Sequence, residues 1–383
     1  MTGEAAPLVE RVRARLASSA APPSAAVVAT LVREEAGGLL GDRAVLTAVR
    51  AATDELSGAG VLEPLLRTPG VTDVLVNGPA EVWMDRGAGL ERTGARFPDE
   101  AAVRRLAVRL AAAAGRRLDD AAPWVDAGLP DGTRLHAVLP PVSGSGTCLS
   151  LRVLRRAVLT AGDLTARGAF PGAAAALLDA VVRSRVAFLV TGGTGTGKTT
   201  VLSALLGLVD PGERLVLCED APELAPVHPH VVRLLTRPPN VEGAGAVTLR
   251  DLVRQALRMR PDRLVVGEVR GAEVVDLLAA LNTGHDGGCG TLHVNRAADL
   301  PARLEALGEA AGLGRAAVHS QAAAALSVVL HLRRSAAGRH VAEIGVVRRR
   351  GELIEVAAGW RADGGLCPAR EELADLIDAR VPG

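Results

Sequence analysis

The run Gly192-Gly193-Thr194-Gly195-Thr196-Gly197-Lys198-Thr199 constrains this chain more than any other stretch. It fits the spacing GxxxxGK[ST], with Thr200 following. An apolar run, 186–190, precedes it, and residues 200–208 read as a helix after it. A strand, loop and helix in that order turn successive backbone N–H groups inward around a phosphate, and the helix adds the positive end of its dipole. The Lys198 ammonium then reaches the β- and γ-phosphates, and the Thr199 hydroxyl is placed to bind Mg2+. Lys198 is also the only lysine in a chain that holds 44 Lys and Arg together, no Tyr and four Asn. That skew is the imprint of a GC-rich genome, and a lysine kept against it does what arginine cannot. Guanine-reading P-loop proteins use an N/TKxD motif, which needs a second lysine, so ATP is favoured over GTP.

Composition excludes several classes. With 383 residues, 48% hydrophobic and 23% charged, the chain has the material for two or three packed domains and is not a disordered polymer. A net charge of +1 and an aromatic content of 2% leave neither a general polyanion surface nor many stacking platforms, so nucleic acid is disfavoured as a partner. The four cysteines, Cys148, Cys218, Cys289 and Cys367, include no CxxC pair, which points to a reducing compartment and to neither a disulfide scaffold nor a zinc site. The first residues carry charges where a signal peptide needs an apolar run. The longest apolar candidate, 322–332, is too short to span a membrane and contains Ser327 and His331.

Three regions follow from the patterning. Residues 1–57 read as short helices, with Leu8, Val12 and Leu16 on one face and Leu31, Leu39, Leu46 and Val49 continuing the apolar pattern. Residues 58–157 read as an α+β domain. It has strands at 72–78 and 81–85 around an Asn-Gly-Pro turn, a helix over 98–114, and strands at 134–139 and 148–153. Residues 158–383 open with a linker and a helix ending near Arg183. From Val186 onward apolar strands alternate with helical patterns, as in a parallel, doubly wound α/β sheet.

In such a sheet ligands lie at the carboxyl ends of the strands, so acids ending strands are the next candidates. The run 263–268 ends in Gly267-Glu268, where Glu268 is placed to hold Mg2+ or polarise water. The run 215–220 ends in Glu219-Asp220, either of which is a candidate general base. A third run, 290–295, contains His293, a candidate γ-phosphate sensor, although a lone histidine at a strand end is more often structural. His228 and His230 lack a ligand pattern and read as structural. Arginines that could neutralise phosphoryl charge are Arg134, Arg152 and the row Arg250, Arg254 and Arg258, whose spacing also suits a solvated basic face.

Taken as an ordered set, these motifs resemble the secretion ATPase superfamily of type II and type IV secretion and type IV pilus assembly. The Tad/CpaF branch, which assembles Flp-type pili, is the nearest in pattern. The carrying residues are the P-loop, the acidic box Cys218-Glu219-Asp220-Ala221-Pro222-Glu223-Leu224, Val266-Gly267-Glu268-Val269-Arg270-Gly271, and Asn282-Thr283-Gly284-His285-Asp286-Gly287. The resemblance implies a RecA-like P-loop motor domain preceded by a smaller α+β, PAS-like domain and a short helical segment. It also implies that Glu219 is the catalytic glutamate of the acidic box, Glu268 the Walker-B glutamate and His293 the His-box histidine. Arg134 and Arg152 match amino-domain arginines that clamp the nucleotide phosphates. Its members are hexameric rings that use ATP and Mg2+ at the cytoplasmic face of the membrane, against a polytopic membrane platform protein. A conjugation-type secretion ATPase is the alternative, with a RecA-like nucleic-acid motor behind it. Cys289 and Gly290 depart from the Ser/Thr-type residues expected near His293, and the tetracysteine zinc motif of some relatives is absent, so no zinc is expected.

Overall fold

The computed structural model describes residues 58–153, 158–240, 242–335 and 338–379, together with 11–12, 15, 25–36, 49 and 52–54. Of the amino-terminal apolar pattern, Leu8, Leu16, Leu39 and Leu46 lie outside the described residues, and so does 154–157 at the end of the region read as the α+β domain. The chain divides into two compact units, Met1–Arg155 and Arg156–Gly383.

In the first unit, helix α1 (Ala25–Ala36) precedes a short helix α2 (Glu63–Leu66) and an antiparallel sheet. The strands are β1 (Asp73–Asn77), β2 (Val82–Asp85), β3 (Leu90–Arg92), β4 (Trp124–Gly128), β5 (Arg134–Val138) and β6 (Cys148–Arg152), in the order β3-β2-β1-β6-β5-β4. Helix α3 (Glu100–Ala113) begins where the Asp99 side chain accepts from the Ala102 N–H at 2.7 Å. Its apolar stripe, Val103, Leu106 and Leu110, packs on the inward residues Leu135, Leu149 and Leu151 of β5 and β6. Those strands alternate buried and open residues, so the opposite face of the sheet carries Arg134, His136, Ser150 and Arg152. The sequence had not suggested β3 or β4. The former is three exposed residues and the latter begins with exposed Trp124, so neither offers a buried run to read.

The second unit is built on an eight-stranded sheet of order β14-β13-β12-β7-β11-β10-β8-β9. Helices α4 (Ala161–Ala166) and α5 (Ala174–Arg183) lead into β7 (Phe188–Gly192), and α6 (Lys198–Leu206) follows. Then come β8 (Leu215–Glu219), β9 (Val231–Leu235), α7 (Leu249–Ala256), β10 (Arg263–Val269), α8 (Glu273–Leu281) and β11 (Cys289–His293). Strands β7 and β8 and nearly all of β10 and β11 are buried, as expected for a parallel sheet covered on both faces. One core layer joins α5 and α6 to the sheet through Leu178, Val182, Leu202 and Leu205, and the other joins α7 and α8 through Leu252, Val253, Leu277 and Leu278. The doubly wound expectation therefore holds from β7 to β11.

It fails beyond that point. After α9 (Leu300–Ala310) and α10 (Arg315–Ala325), three long strands follow without intervening helices: β12 (Val328–Ser335), β13 (Gly338–Arg350) and β14 (Leu353–Arg361), before α11 (Arg370–Asp378). Strand β12 runs parallel to β7, whereas β13 and β14 are antiparallel additions. The apolar run at 322–332 thus divides between the end of α10 and the start of β12. No described helix is long and apolar enough to cross a membrane.

Candidate active site

Because β7, β8, β10 and β11 are parallel, their carboxyl ends share one edge of the sheet. That edge collects Gly192, Glu219, Glu268 and His293. The chain leaves β7 through Gly192, whose backbone sits at φ +151°, and a Cβ there would lie 2.8 Å from the Leu332 carbonyl oxygen of β12. Only glycine lets the loop begin so close to a neighbouring strand. Thr196 is buried and its Oγ1 donates to the Gly193 carbonyl at 2.9 Å, closing the loop on itself. Gly197 caps α6 in the left-handed conformation, which aims the first helical N–H groups at the loop.

Lys198 folds back over this loop. Its Nζ donates to the carbonyls of Gly192 and Gly193, both at 3.0 Å, and the residue is 9% exposed. Burial lowers the pKa of this ammonium, and the nearby carboxylates Glu268 and Glu223 pull it the other way. The residues fit a phosphate chain. A buried ammonium calls for an anion, the helix end presents N–H groups, and a Cβ at Gly195 would meet nothing within 4 Å. Thr199, the expected Mg2+ residue, and Thr200 occupy the first turn of α6, where both stay partly accessible.

The acids divide in a way the sequence did not reveal. Glu219 is 2% exposed. Its Oε1 accepts from the backbone N–H of Glu223 at 3.0 Å and of Leu224 at 2.7 Å, and its Oε2 accepts from Arg233 Nε at 2.8 Å. Burial pushes its carboxyl up, against the downward pull of those N–H groups and Arg233. Glu219 therefore braces the turn that follows β8 through both of its carboxylate oxygens. Glu223 reaches the loop as well: its Oε2 accepts from Thr199 Oγ1 at 3.4 Å. Beneath it, a Cβ at Gly267 would lie 2.9 Å from Glu219 Cγ. The Gly-Glu ending of β10 thus has a steric cause: Glu219 fills the space that a Walker-B aspartate would need.

Glu268 stands one residue further along β10, partly exposed, and the Arg270 guanidinium holds its Oε2 through Nε at 2.8 Å and through Nη2. His293 ends β11 directly opposite Gly192 in the sheet register, so the histidine and the loop entrance are neighbours. On the other side of β7, Nδ1 of buried His331 lies 3.0 Å from Thr191 Oγ1. Desolvation lowers the His331 pKa to about 4, with the charge of Arg333 acting in the same direction.

In the first unit, Arg134 and Arg152 are cross-strand neighbours, each paired with an aspartate. Arg134 bonds Asp126 at 2.8 and 3.1 Å, and Arg152 bonds Asp73 at 3.0 Å. Of the other arginine candidates, Arg250 and Arg254 both donate to Asp276 on α8, at 2.6 and 2.7 Å, which gives these two a structural role. His228 Nε2 lies 3.0 Å from the Asp210 carbonyl oxygen, and His230 Nε2 lies 2.9 Å from Arg214 Nη1.

Residues 55–361 match the family described as type II/IV secretion system protein. The chain belongs to this family. Within the superfamily of type II/IV secretion ATPases, this secretion protein is 59% identical over 350 residues to a putative conjugal transfer protein of Mycobacterium tuberculosis, covering 90% of this chain and 99% of the relative. It is 31% identical over 279 residues to the conjugal transfer protein TrbB of Rhizobium radiobacter, covering 72% and 83% of the two chains. The crystal structure of the pilus retraction motor PilT with bound ADP shares its fold, with a TM-score of 0.52 at 20% identity, covering 82% of this chain and 83% of that one.

Proposed function

We propose that this secretion protein is a Mg2+-dependent ATPase that drives assembly of a pilus or secretion apparatus. The observation that carries the reading is a buried lysine folded over a glycine loop, with Glu223 on the loop's threonine and Glu268 on the same sheet edge. Bound Mg2+-ATP would supply the γ-phosphoryl group and the charge to be neutralised. Lys198 and the N–H groups from Gly195 to Thr200 would bind phosphate oxygens, and Thr199 and Glu268 would hold the metal. Glu223 accepts a proton from, and orients, the attacking water; Glu219 positions it by gripping its backbone N–H. His293, beside Gly192, is placed to read the γ-phosphate end of the loop. The resemblance also assigns phosphate-clamping roles to Arg134 and Arg152, each of which is ion-paired with an aspartate within the first unit. The protein works as a ring of six at the inner face of the cell membrane, against a polytopic membrane protein.

Two machines remain as cargo. The motif order favours a Tad-type pilus, and the conjugal transfer proteins among the relatives favour a conjugation apparatus. Pilin-like precursors and two polytopic membrane proteins encoded beside the chain would assign the former; relaxase and coupling-protein frames would assign the latter. The activity itself is tested by phosphate release from ATP. Wild type is expected to turn over, and Lys198→Ala to lose nucleotide binding and turnover together. Turnover that survives the loss of Lys198 would sink the proposal.

A further inference from the structure

The antiparallel hairpin β12–β13 reaches past the end of the parallel sheet. Leu332 of β12 is the last residue paired with β7, opposite Gly192. Arg333, Arg334 and Ser335 continue beyond it, and Gly338, Arg339 and His340 return. Three residues of strand make an overhang of about 10 Å on the side of the sheet edge where the phosphate loop lies. Alternation sorts the side chains. Leu332 and Val341 belong to the core shared with α6, so Arg334 and Arg339, two residues away from each, stand on that same face. His331, Arg333 and His340 face the other way, into a separate cavity of about 630 Å3. The sorting agrees with a contact: Arg339 Cδ lies 3.6 Å from the Cβ position of Gly197, the residue that caps α6.

Arg334 and Arg339 are directly opposite in the ladder, both exposed, and neither has an ion pair or hydrogen bond among the described residues. Like charges facing each other across a strand pair are destabilising, so nothing within the described fold accounts for the arrangement. An anion would account for it, and the nearest anion site is the loop that Arg339 passes. Guanidinium groups grip phosphate oxygens in a two-pronged geometry that an ammonium cannot supply.

We propose that the hairpin is the outer wall of the phosphate cradle, and that Arg339, backed by Arg334, binds the polyphosphate chain of the nucleotide from within the same unit. This rests on the nucleotide reading above and adds a residue to it. Binding of fluorescent ATP and ADP analogues with Mg2+ tests it, on the full chain, without reference to turnover. Arg339→Ala is expected to raise Kd about tenfold or more. Arg339→Lys should recover part of the loss, and Arg334→Ala should raise Kd a few-fold. Arg349→Ala, at the far exposed end of β13, is the control and should bind as wild type does. Melting curves confirm that each variant is folded. If wild type binds, Lys198→Ala does not, and Arg339→Ala stays within twofold of wild type, the hairpin assignment falls alone. If wild type binds no nucleotide, it falls together with the ATPase reading.

Discussion

Glu219 and Glu223 are four residues apart, and the proposed mechanism gives them different roles. Glu223→Gln is expected to lower kcat by about 10²–10⁴ while ATP affinity stays within a few-fold, because the amide keeps the shape and loses the basic oxygen. Glu219→Gln should instead lower the melting temperature along with activity, since it weakens the grip on Arg233 and on two backbone N–H groups. Activity and melting measured on both variants check the division. Equal effects from the two would contradict it. His331 gives a pH signature. Its value in the fold, about 4, lies below the ordinary 6.5, so the fold favours the neutral ring. The associated stability is complete above about 6.5 and is lost as the pH falls toward 4, on the order of 3 kcal/mol in all. Urea midpoints followed from pH 7 to pH 5 should therefore fall more steeply for wild type than for His331→Gln. Lys198, Thr199 and Glu268 were legible as candidates because each sits in a motif whose chemistry is local. The sequence did not separate Glu223 from Glu219, because that depends on the turn after β8, which buries Glu219 and leaves Glu223 exposed. Nor did it show Arg339, which reaches the loop only through the pairing of β12 with β7.

At the scale of elements, β7, the loop and α6 were legible because strand, turn and helix are contiguous and each carries its own signal. The carboxyl ends of β8, β10 and β11 were legible for the same reason. The strands β12 to β14 were not: β12 begins in an alanine-rich apolar run that reads equally as helix, and a register shift between His331 and Leu332 interrupts the alternation. The tight fit between β8 and β10 can be probed at one position. Gly267→Ala puts a methyl group against Glu219 Cγ, so it should cost about 1–3 kcal/mol of unfolding free energy and displace the brace beneath Glu223. Denaturation midpoints together with kcat check this, and a variant as stable and as active as wild type would show that the two strands are not so closely packed.

Across the whole molecule, the two edges of the large sheet are built differently. The amino edge is tied by Arg263, buried and gripping Glu213 through two bonds at 2.7 and 3.1 Å, and Arg185 joins the same carboxylate at 3.2 Å. The carboxyl edge is a row of glycines, threonines and acids. Such a division suits a motor unit that holds its frame while one rim rearranges. A ring of six would have a mass near six times 39.3 kDa. Light scattering with and without nucleotide is expected to find that species, and a strictly monomeric protein under both conditions would remove the ring from the proposal.

Lys198 carries the only side-chain amine in the sequence, and the fold tucks it against two carbonyls of the glycine loop. Acylating reagents aimed at primary amines therefore have one internal target. Whatever shields or uncovers that nitrogen, whether cargo, neighbouring subunit or bound phosphate, is recorded at a single position by the mass of one tryptic fragment.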